Sequence, residues 1–274
     1  MDQGTVREFV RPQGDDPTAQ WQPGDVWLAG GTFLFSTPLP EIRRLVDITS
    51  LGWPSLVVSD SGLEIAATCR AVELHDFVPP REWTAGPFLR EAVDSFLAGF
   101  KVWNNATVGG NICTSLPASP MTTMSTALDA TLEIWGPQGA RRTMKAPDFV
   151  LDNHANALQP GEILRAIHLP LASLVRRYAY QRFTLTKHGR SSEFLVGTSD
   201  PARGDFELTI TAATSRPFLV TFDRMPSAVE LRDAITQTVR DADYFDDPNG
   251  SPAHRKHMTY YLAELIRTEL AQEA

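Results

Sequence analysis

The chain has 274 residues, 42% of them hydrophobic, with 25 lysines and arginines against 33 aspartates and glutamates, a formal net charge of −8. That acidic balance, with no basic segment, argues against a nucleic-acid surface, and no apolar run is long enough for a membrane span. Residues 1–16 lack the apolar core of a secretory signal, so the cytoplasm is the expected compartment, and the 2 cysteines are too few for a disulfide framework or an iron–sulfur cluster.

In chain order, residues 26–28 read as a buried strand that delivers a glycine-rich loop at 28–36, LAGGTFLFS. A short helix is expected after it, near 41–44, with Pro38 and Pro40 at its approach, and then a strand ending at about Ile48. Residues 56–58 and 63–66 flank Ser59, Asp60, Ser61 and Gly62, the turn chemistry of a hairpin. Leu89, Ala92, Val93, Phe96, Leu97 and Phe100 fall at helical spacing behind Pro87, which predicts a helix over 87–100. It leads into a second glycine-rich stretch at 101–120, KVWNNATVGGNICTSLPASP. Residues 121–128 predict a short helix, 131–135 pair with 141–144 across Gly136-Pro137-Gln138-Gly139, and 163–169 form a strand stopping at Pro170. Strand-like runs follow at 178–183, 193–198, 207–211 and 218–222, an antiparallel sheet with a surface turn at 200–205. Ser227 and Glu230 make a capping box for one C-terminal helix. Ser251 and Pro252 start a second, with Met258, Tyr261, Leu262, Leu265, Ile266 and Leu270 on one face. Asp241, Asp243, Asp246 and Asp247 read as a solvated connection, and residues 254–257, His-Arg-Lys-His, as a solvated first turn in preference to a zinc site.

The two glycine stretches carry the functional expectation. Gly109 and Gly110 can adopt positive φ and let main-chain N–H groups approach a ligand. Thr107, Asn111, Thr114 and Ser115 add hydroxyl and amide groups for phosphate oxygens, and consecutive N–H groups can form an anion nest without any lysine. Gly30, Gly31 and Thr32 repeat the pattern upstream. Two such loops suit a long ligand with a diphosphate in its middle, although tight turns between strands explain each Gly-Gly pair equally well. Cys69 and Cys113 read as small buried residues, Cys113 lying beside the second loop. There is no G-x-G-x-x-G, G-x-x-x-x-G-K-[ST] or G-x-S-x-G, so neither a nicotinamide loop, a nucleoside triphosphate loop nor a serine nucleophile is expected. No catalytic side chain and no metal ligand set stands out.

Ala29-Gly30-Gly31-Thr32 and Asn104-Asn105-Ala106-Thr107-Val108-Gly109-Gly110-Asn111, in this order, resemble the FAD-diphosphate loops, AGGT and N-x-A-T-[IV]-G-G-N, of the flavin (medium) subunit of molybdenum hydroxylases, the xanthine dehydrogenase and carbon monoxide dehydrogenase family. Leu45-Val46-Asp47-Ile48, Gly161-Glu162-Ile163-Leu164 before Leu169-Pro170, and a basic, tyrosine-containing C-terminal helix extend the resemblance over nearly the whole chain. It implies an α+β fold, with a two-subdomain FAD-binding (PCMH-type) unit at 1–55 and 56–172 and a C-terminal α+β domain of antiparallel sheet and helices at 173–274 that covers the flavin. It implies that FAD is held by Leu28, Ala29, Gly30, Gly31, Thr32, Phe33 and Leu34 and by Ala106, Thr107, Gly109, Gly110 and Asn111. Leu164 is implied to lie near the flavin and Tyr180 against the isoalloxazine. The family's role implies an oxidoreductase component that passes electrons from iron–sulfur clusters through FAD to NAD, a quinone or oxygen. Molybdopterin and the clusters would sit in a separate large subunit and small subunit, assembled as a dimer of heterotrimers.

Three positions depart from the family pattern. Pro120 stands where the second loop usually continues to an aspartate that contacts FAD, Trp103 where a basic residue precedes Asn104, and Glu193 where an Arg-x-x-Asp pattern has its acid, read here as Arg190-Ser191-Ser192-Glu193. Loss of a carboxylate that accepts hydrogen bonds from FAD weakens binding by about 1–3 kcal/mol unless a neighbour substitutes, and Ser119 is the neighbour placed to do so. A stand-alone FAD oxidoreductase of related fold and a flavin-less scaffold subunit remain as alternatives.

Overall fold

Three short apolar runs near the N-terminus become the first sheet. In the computed structural model, which describes residues 4–187 and 189–272, β1 (Glu8–Val10), β2 (Asp25–Leu28) and β3 (Arg44–Asp47) lie parallel in the order β1-β3-β2. The chain ends assigned to the first and third expected segments, at 1 and 274, fall outside the described residues. Register is fixed where Asp25 faces Arg44: the guanidinium forks onto the carboxylate at 2.7 and 2.6 Å, a bidentate pair almost out of solvent. The helix expected near 41–44 is absent. Residues 31–43 form turns, with one α-turn from the Phe35 N–H to the Gly31 carbonyl at 2.9 Å. Pro38 and Pro40, two apart, lack the N–H groups with which a helix would continue.

The second sheet is antiparallel throughout, in the order β4-β5-β10-β6-β7. β4 (Leu56–Ser59) and β5 (Gly62–Ala66) make the expected hairpin. The helices α1 (Ala71–His75), α2 (Pro87–Asp94), α3 (Phe100–Trp103), α4 (Val108–Thr114) and α5 (Pro120–Ala127) follow before β6 (Thr131–Trp135) and β7 (Arg141–Lys145). The single helix expected over 87–100 is therefore broken. Ser95 ends α2 by turning its hydroxyl back onto the Glu91 carbonyl at 3.0 Å, and Gly99 takes an extended conformation ahead of α3. Leu97, freed from the helical face, is 52% exposed.

After α6 (Ala146–Phe149) and a small hairpin of β8 (Val150–Asp152) and β9 (Ala155–Asn156), β10 (Ile163–Pro170) returns to the centre of this sheet. Its alternation sorts the two faces. Leu164, Ile167 and Leu169 point into a core with Phe88, Ile112 and Met124, while His168 and Arg165 point outward, His168 Nε2 to Glu133 at 3.0 Å and Arg165 between the rings of Trp53 and Trp135.

The short α7 (Leu171–Leu174) leads to a third sheet, the antiparallel meander β11 (Arg177–Phe183), β12 (Glu193–Ser199), β13 (Phe206–Thr211) and β14 (Phe218–Phe222), each within about a residue of its expected position. α8 (Ala228–Thr238), capped by Ser227 and Glu230 as expected, and α9 (Pro252–Gln272) pack on one face of this sheet around Phe206, Ile235 and Ile266. The other face meets α2 and α5. Among the described residues no helix is long and apolar enough to cross a membrane.

The first turn of α9 is solvated at His257 and partly so at His254 and Lys256, but not at Arg255. Arg255 is 1% exposed and donates to the carbonyls of Ser192, Ala212 (2.6 Å) and Gly250 (3.0 Å) and to the Asp247 carboxylate (2.5 Å), so Asp247 also leaves the solvated connection expected of it. An amphipathic pattern does not reveal a guanidinium that finds four acceptors at once. Beside it Glu193 is fully buried with one carboxylate oxygen unpaired among the described residues, and burial raises its carboxyl to about 7 against the opposing effects of Ser192 and Arg255.

Two predictions follow from this cluster. Arg255→Ala takes a charged donor from the part-buried Asp247 carboxylate and from the Ser192, Ala212 and Gly250 carbonyls, and lowers stability by about 3–5 kcal/mol, read as a fall in the urea midpoint at constant m-value. For Glu193 the folded carboxyl is raised above its unfolded value, so the native state binds the extra proton between about pH 4.5 and 7 and stability falls as pH rises through that window. Glu193→Gln removes that slope, which has a limit of about 1.4 kcal/mol per pH unit; chemical denaturation at several pH values measures it.

Candidate functional site

β2 delivers the first glycine stretch to the edge of the first sheet. Gly31 takes the left-handed conformation at φ 68° that a side chain would resist, and it turns the chain so that the N–H groups of Gly31, Thr32 and Phe33 find no acceptor among the described residues. Successive unpaired N–H groups around a left-handed residue make a concavity suited to an anion. Gly30 has a different task. A Cβ there would lie 1.9 Å from the Asn105 carbonyl oxygen, so the bare backbone is what lets the first stretch touch the second.

The second stretch is a helix rather than a loop, and Gly109 and Gly110 do not take positive φ. Thr107 is its N-cap, the hydroxyl accepting from the Gly110 N–H at 3.0 Å. Its other early N–H groups are also used: Val108 donates to Cys69, Gly109 to Ala67 and Asn111 to Thr107. The anion nest expected here is therefore filled by the protein itself. The two glycines are distinguished by what surrounds them. A Cβ on Gly109 would strike the Ala67 backbone and side chain, at 2.4 Å from its Cβ, so this glycine is needed for helix α4 to pack on the second sheet. A Cβ on Gly110 would meet only the Thr107 hydroxyl.

Between the two stretches lies a cavity of about 750 Å³. It is lined by Leu28, Ala29, Gly30, Gly31, Thr32, Phe33 and Leu34 from the first and by Ala106, Thr107, Gly110 and Asn111 from the second, all expected from the sequence. Asn111 is oriented from behind. Its side-chain oxygen accepts from the Met121 N–H at 3.1 Å and from the Ser119 hydroxyl at 2.6 Å, which leaves the amide NH₂ as the end free to donate. The hydroxyls of Thr114 and Ser115 are spent on the carbonyls of Gly110 and Ile112.

Four expected residues stand apart from this cavity. Gly109 is enclosed against Ala67, and Ser119 is the N-cap of α5, 2% exposed, reaching the cavity only through Asn111. Leu164 is in the core opposite Ile134, and Tyr180 packs its ring on Phe88 and Phe194. Of the departures, Pro120 occupies the first position of α5, where its missing N–H does no harm, and Trp103 leans on His75 and donates to the Phe96 carbonyl.

The cavity also recruits Trp27, Phe96, Leu116 and His154, which the sequence did not mark as cofactor-binding, together with Cys113, expected beside the second stretch, whose thiol burial pushes up to about 12. Leu116 and His154 continue into an adjoining chamber of about 570 Å³, lined further by Arg190, Asp247 and Arg255. On the other side, Ala29, Gly30 and Thr107 are shared with a polar pocket of about 370 Å³ that includes Trp53, Arg70, Asn104 and Asn105. An elongated ligand with an anionic middle fits this row: N–H groups unpaired among the described residues at the waist, a mixed apolar and charged chamber on one side and a polar pocket on the other.

Residues 19–172 match the family described as FAD binding domain in molybdopterin dehydrogenase. The chain is 30% identical over 163 residues to the carbon monoxide dehydrogenase medium chain of Afipia carboxidovorans, 57% of this chain and 54% of that one. It is 30% identical over 172 residues to the xanthine dehydrogenase FAD-binding subunit of Escherichia coli O157:H7, 61% of this chain and 55% of that one. The matched segments thus span about half the length of these relatives. The fold superposes on a chain of quinoline 2-oxidoreductase from Pseudomonas putida 86 with a TM-score of 0.82 at 18% identity, over 100% of this chain and 99% of that one. A chain of the Cu,Mo-CO dehydrogenase gives 0.82 at 20%, over 100% of both chains. At such identities the structures speak for the fold, and the sequence match for the family. This chain belongs to the family of FAD-binding domains of molybdopterin dehydrogenases.

Proposed function

We propose that this chain is the FAD-carrying electron-transfer subunit of a molybdenum hydroxylase-type dehydrogenase, working in the cytoplasm. The observation that carries the reading is the trio of N–H groups at Gly31, Thr32 and Phe33, unpaired among the described residues, on a cavity whose opposite wall is Thr107, Gly110 and Asn111. When bound, FAD supplies the redox chemistry. The residues hold and screen it. Gly31, Thr32 and Phe33 would hold its diphosphate through main-chain N–H groups, with the Asn111 amide and Thr107 hydroxyl as donors on the other wall. Leu34, Phe96 and Leu116 keep water from the apolar walls. Segments 1–55 and 56–172 clamp the cofactor, and 173–274 covers the flavin end.

The names of the relatives, a medium chain and an FAD-binding subunit, support partners on separate chains. We assign these as a molybdenum-pterin large subunit and an iron–sulfur small subunit in a dimer of heterotrimers. In this assignment electrons would come from the partner's clusters and pass to NAD, a quinone or oxygen.

The first test is release of the cofactor. Acid precipitation of the purified chain yields FAD, and Gly110→Val, whose new side chain points at the cavity past the Thr107 hydroxyl, loses the flavin while its circular dichroism is unchanged. Gly30→Ala behaves differently, since its Cβ would overlap the Asn105 carbonyl: it loses flavin and also about 1–3 kcal/mol of stability. A colourless wild-type chain that takes up no added FAD would sink the reading in favour of a scaffold. Size measurement on native material addresses the assembly. Co-elution with molybdenum- and iron-containing chains is expected, and a lone flavoprotein would point instead to a stand-alone oxidoreductase.

A further inference from the structure

Among the described residues that line the larger cavity, the titratable side chains are Cys113 and His154, with no arginine or lysine. His154 lies at the waist and lines the adjoining chamber as well. It sits in the turn between β8 and β9, and its place is fixed from three sides. Its backbone is left-handed at φ 58°, its N–H donates to the Ser115 carbonyl at 2.9 Å, and its ring stacks on Phe33 with centroids 5.3 Å apart. The same hairpin sends the Asn156 amide to the Cys113 carbonyl at 2.8 Å, so the turn is clipped to the end of α4.

The remaining contact sets the chemistry of the ring. Nδ1 of His154 lies 3.1 Å from the Thr114 carbonyl oxygen, and a carbonyl only accepts, so Nδ1 carries a hydrogen. In the neutral ring Nε2 is then the bare nitrogen. It becomes a donor only when the ring takes up a second proton.

We propose that His154 is the proton-coupled diphosphate ligand of this site: FAD binding draws a proton from solvent onto Nε2, and the imidazolium donates to a phosphate oxygen while Nδ1–H stays on Thr114. The inference rests on the FAD reading above. A dianionic diphosphate brought beside the ring favours its charged form, and a charge-assisted hydrogen bond to phosphate follows. The surrounding groups do not pre-empt that charge. Phe33 on the first stretch and Thr114 and Ser115 at the end of α4 are uncharged, and the Cys113 thiol is held neutral by burial. On the turn itself Asp152 accepts from the Asn153 N–H at 2.7 Å, and across the second chamber stand Arg190 and the Asp247–Arg255 pair at 2.5 Å.

The test is calorimetric titration of the deflavinated chain with FAD in buffers of different ionisation enthalpy, repeated from about pH 6 to 8, with flavin fluorescence giving the affinity. Wild type takes up protons on binding, and its dissociation constant rises with pH by up to about tenfold per unit. His154→Asn is the comparison, because asparagine tolerates the left-handed backbone and its amide can donate to Thr114 in place of Nδ1. That variant binds FAD with a flatter pH dependence and takes up fewer protons. Equal proton uptake by both chains overturns the role of His154 and leaves the FAD reading intact. A pH-independent affinity in wild type, with no proton exchange, overturns it without recourse to the variant. Failure of wild type to bind FAD at any pH overturns both.

Discussion

The site depends on one backbone contact, the approach of Gly30 to the Asn105 carbonyl and Ala106. A Cβ at residue 30 would be 1.9 Å from the Asn105 oxygen, inside any allowed separation, so no other residue type lets the first stretch come this close to the second. The first sheet and its flanking turn are also joined to the second by long-range side-chain hydrogen bonds. Trp27 donates to the Glu162 carbonyl at 2.9 Å, Thr18 to the Gly136 carbonyl at 2.8 Å, and Arg141 to Asp16 at 2.8 Å. Those bonds hold the two sheets together; the bare Gly30 allows the close approach that narrows the cavity. The width matters because unpaired N–H groups act over hydrogen-bond distances only.

The two glycine pairs look alike in sequence and differ in physics. In the first pair, one glycine supplies close approach and the other a left-handed turn. In the second, Gly109 allows α4 to sit on Ala67, and Gly110 leaves space at the cavity wall. The unsatisfied N–H groups are therefore on the first stretch, while the second has its own satisfied by Thr107, Ala67 and Cys69. A division of labour results. One wall donates from the backbone and the other from side chains, with Asn111 held in orientation by Ser119 and the Met121 N–H.

Much of this was legible in the sequence where the signal is local. The strands of the third sheet, the hairpin at 59–62 and the Ser227–Glu230 cap follow from alternation, turn residues and capping spacing, which involve neighbours only. The break at Ser95 was not, because the apolar periodicity runs on to Phe100 and the stop is a hydroxyl turned back on Glu91. The helical state of residues 108–114 was masked by two adjacent glycines, each poor in a helix, whose presence is explained by Ala67 some forty residues earlier in the chain. His154 could not be found at all from its neighbours, since its partners Phe33, Thr114 and Ser115 are remote in sequence. Arg255 misled in the opposite sense: it stands in a charged run that suggests solvent, and it is the most completely buried arginine of the described chain.

That arginine ties the C-terminal helix to the site. Arg255 donates to the Ala212 carbonyl, and Ala212, itself left-handed at φ 62°, donates its N–H to the Pro117 carbonyl at 2.9 Å, just beyond α4. Thr123 and Thr211 meet hydroxyl to hydroxyl at 2.7 Å beside it, joining α5 to β13. The third sheet and α9 are thus tied to the segment after α4 and to α5 through largely buried polar contacts, which are strongly position-dependent. Apolar packing alone would let α9 slide along the third sheet at little energetic expense. A guanidinium with fixed donors cannot slide without leaving carbonyls unpaired, so the register of α9 against β12 and β13 also fixes Pro117 and Ala118, and with them the far side of the cavity at Leu116.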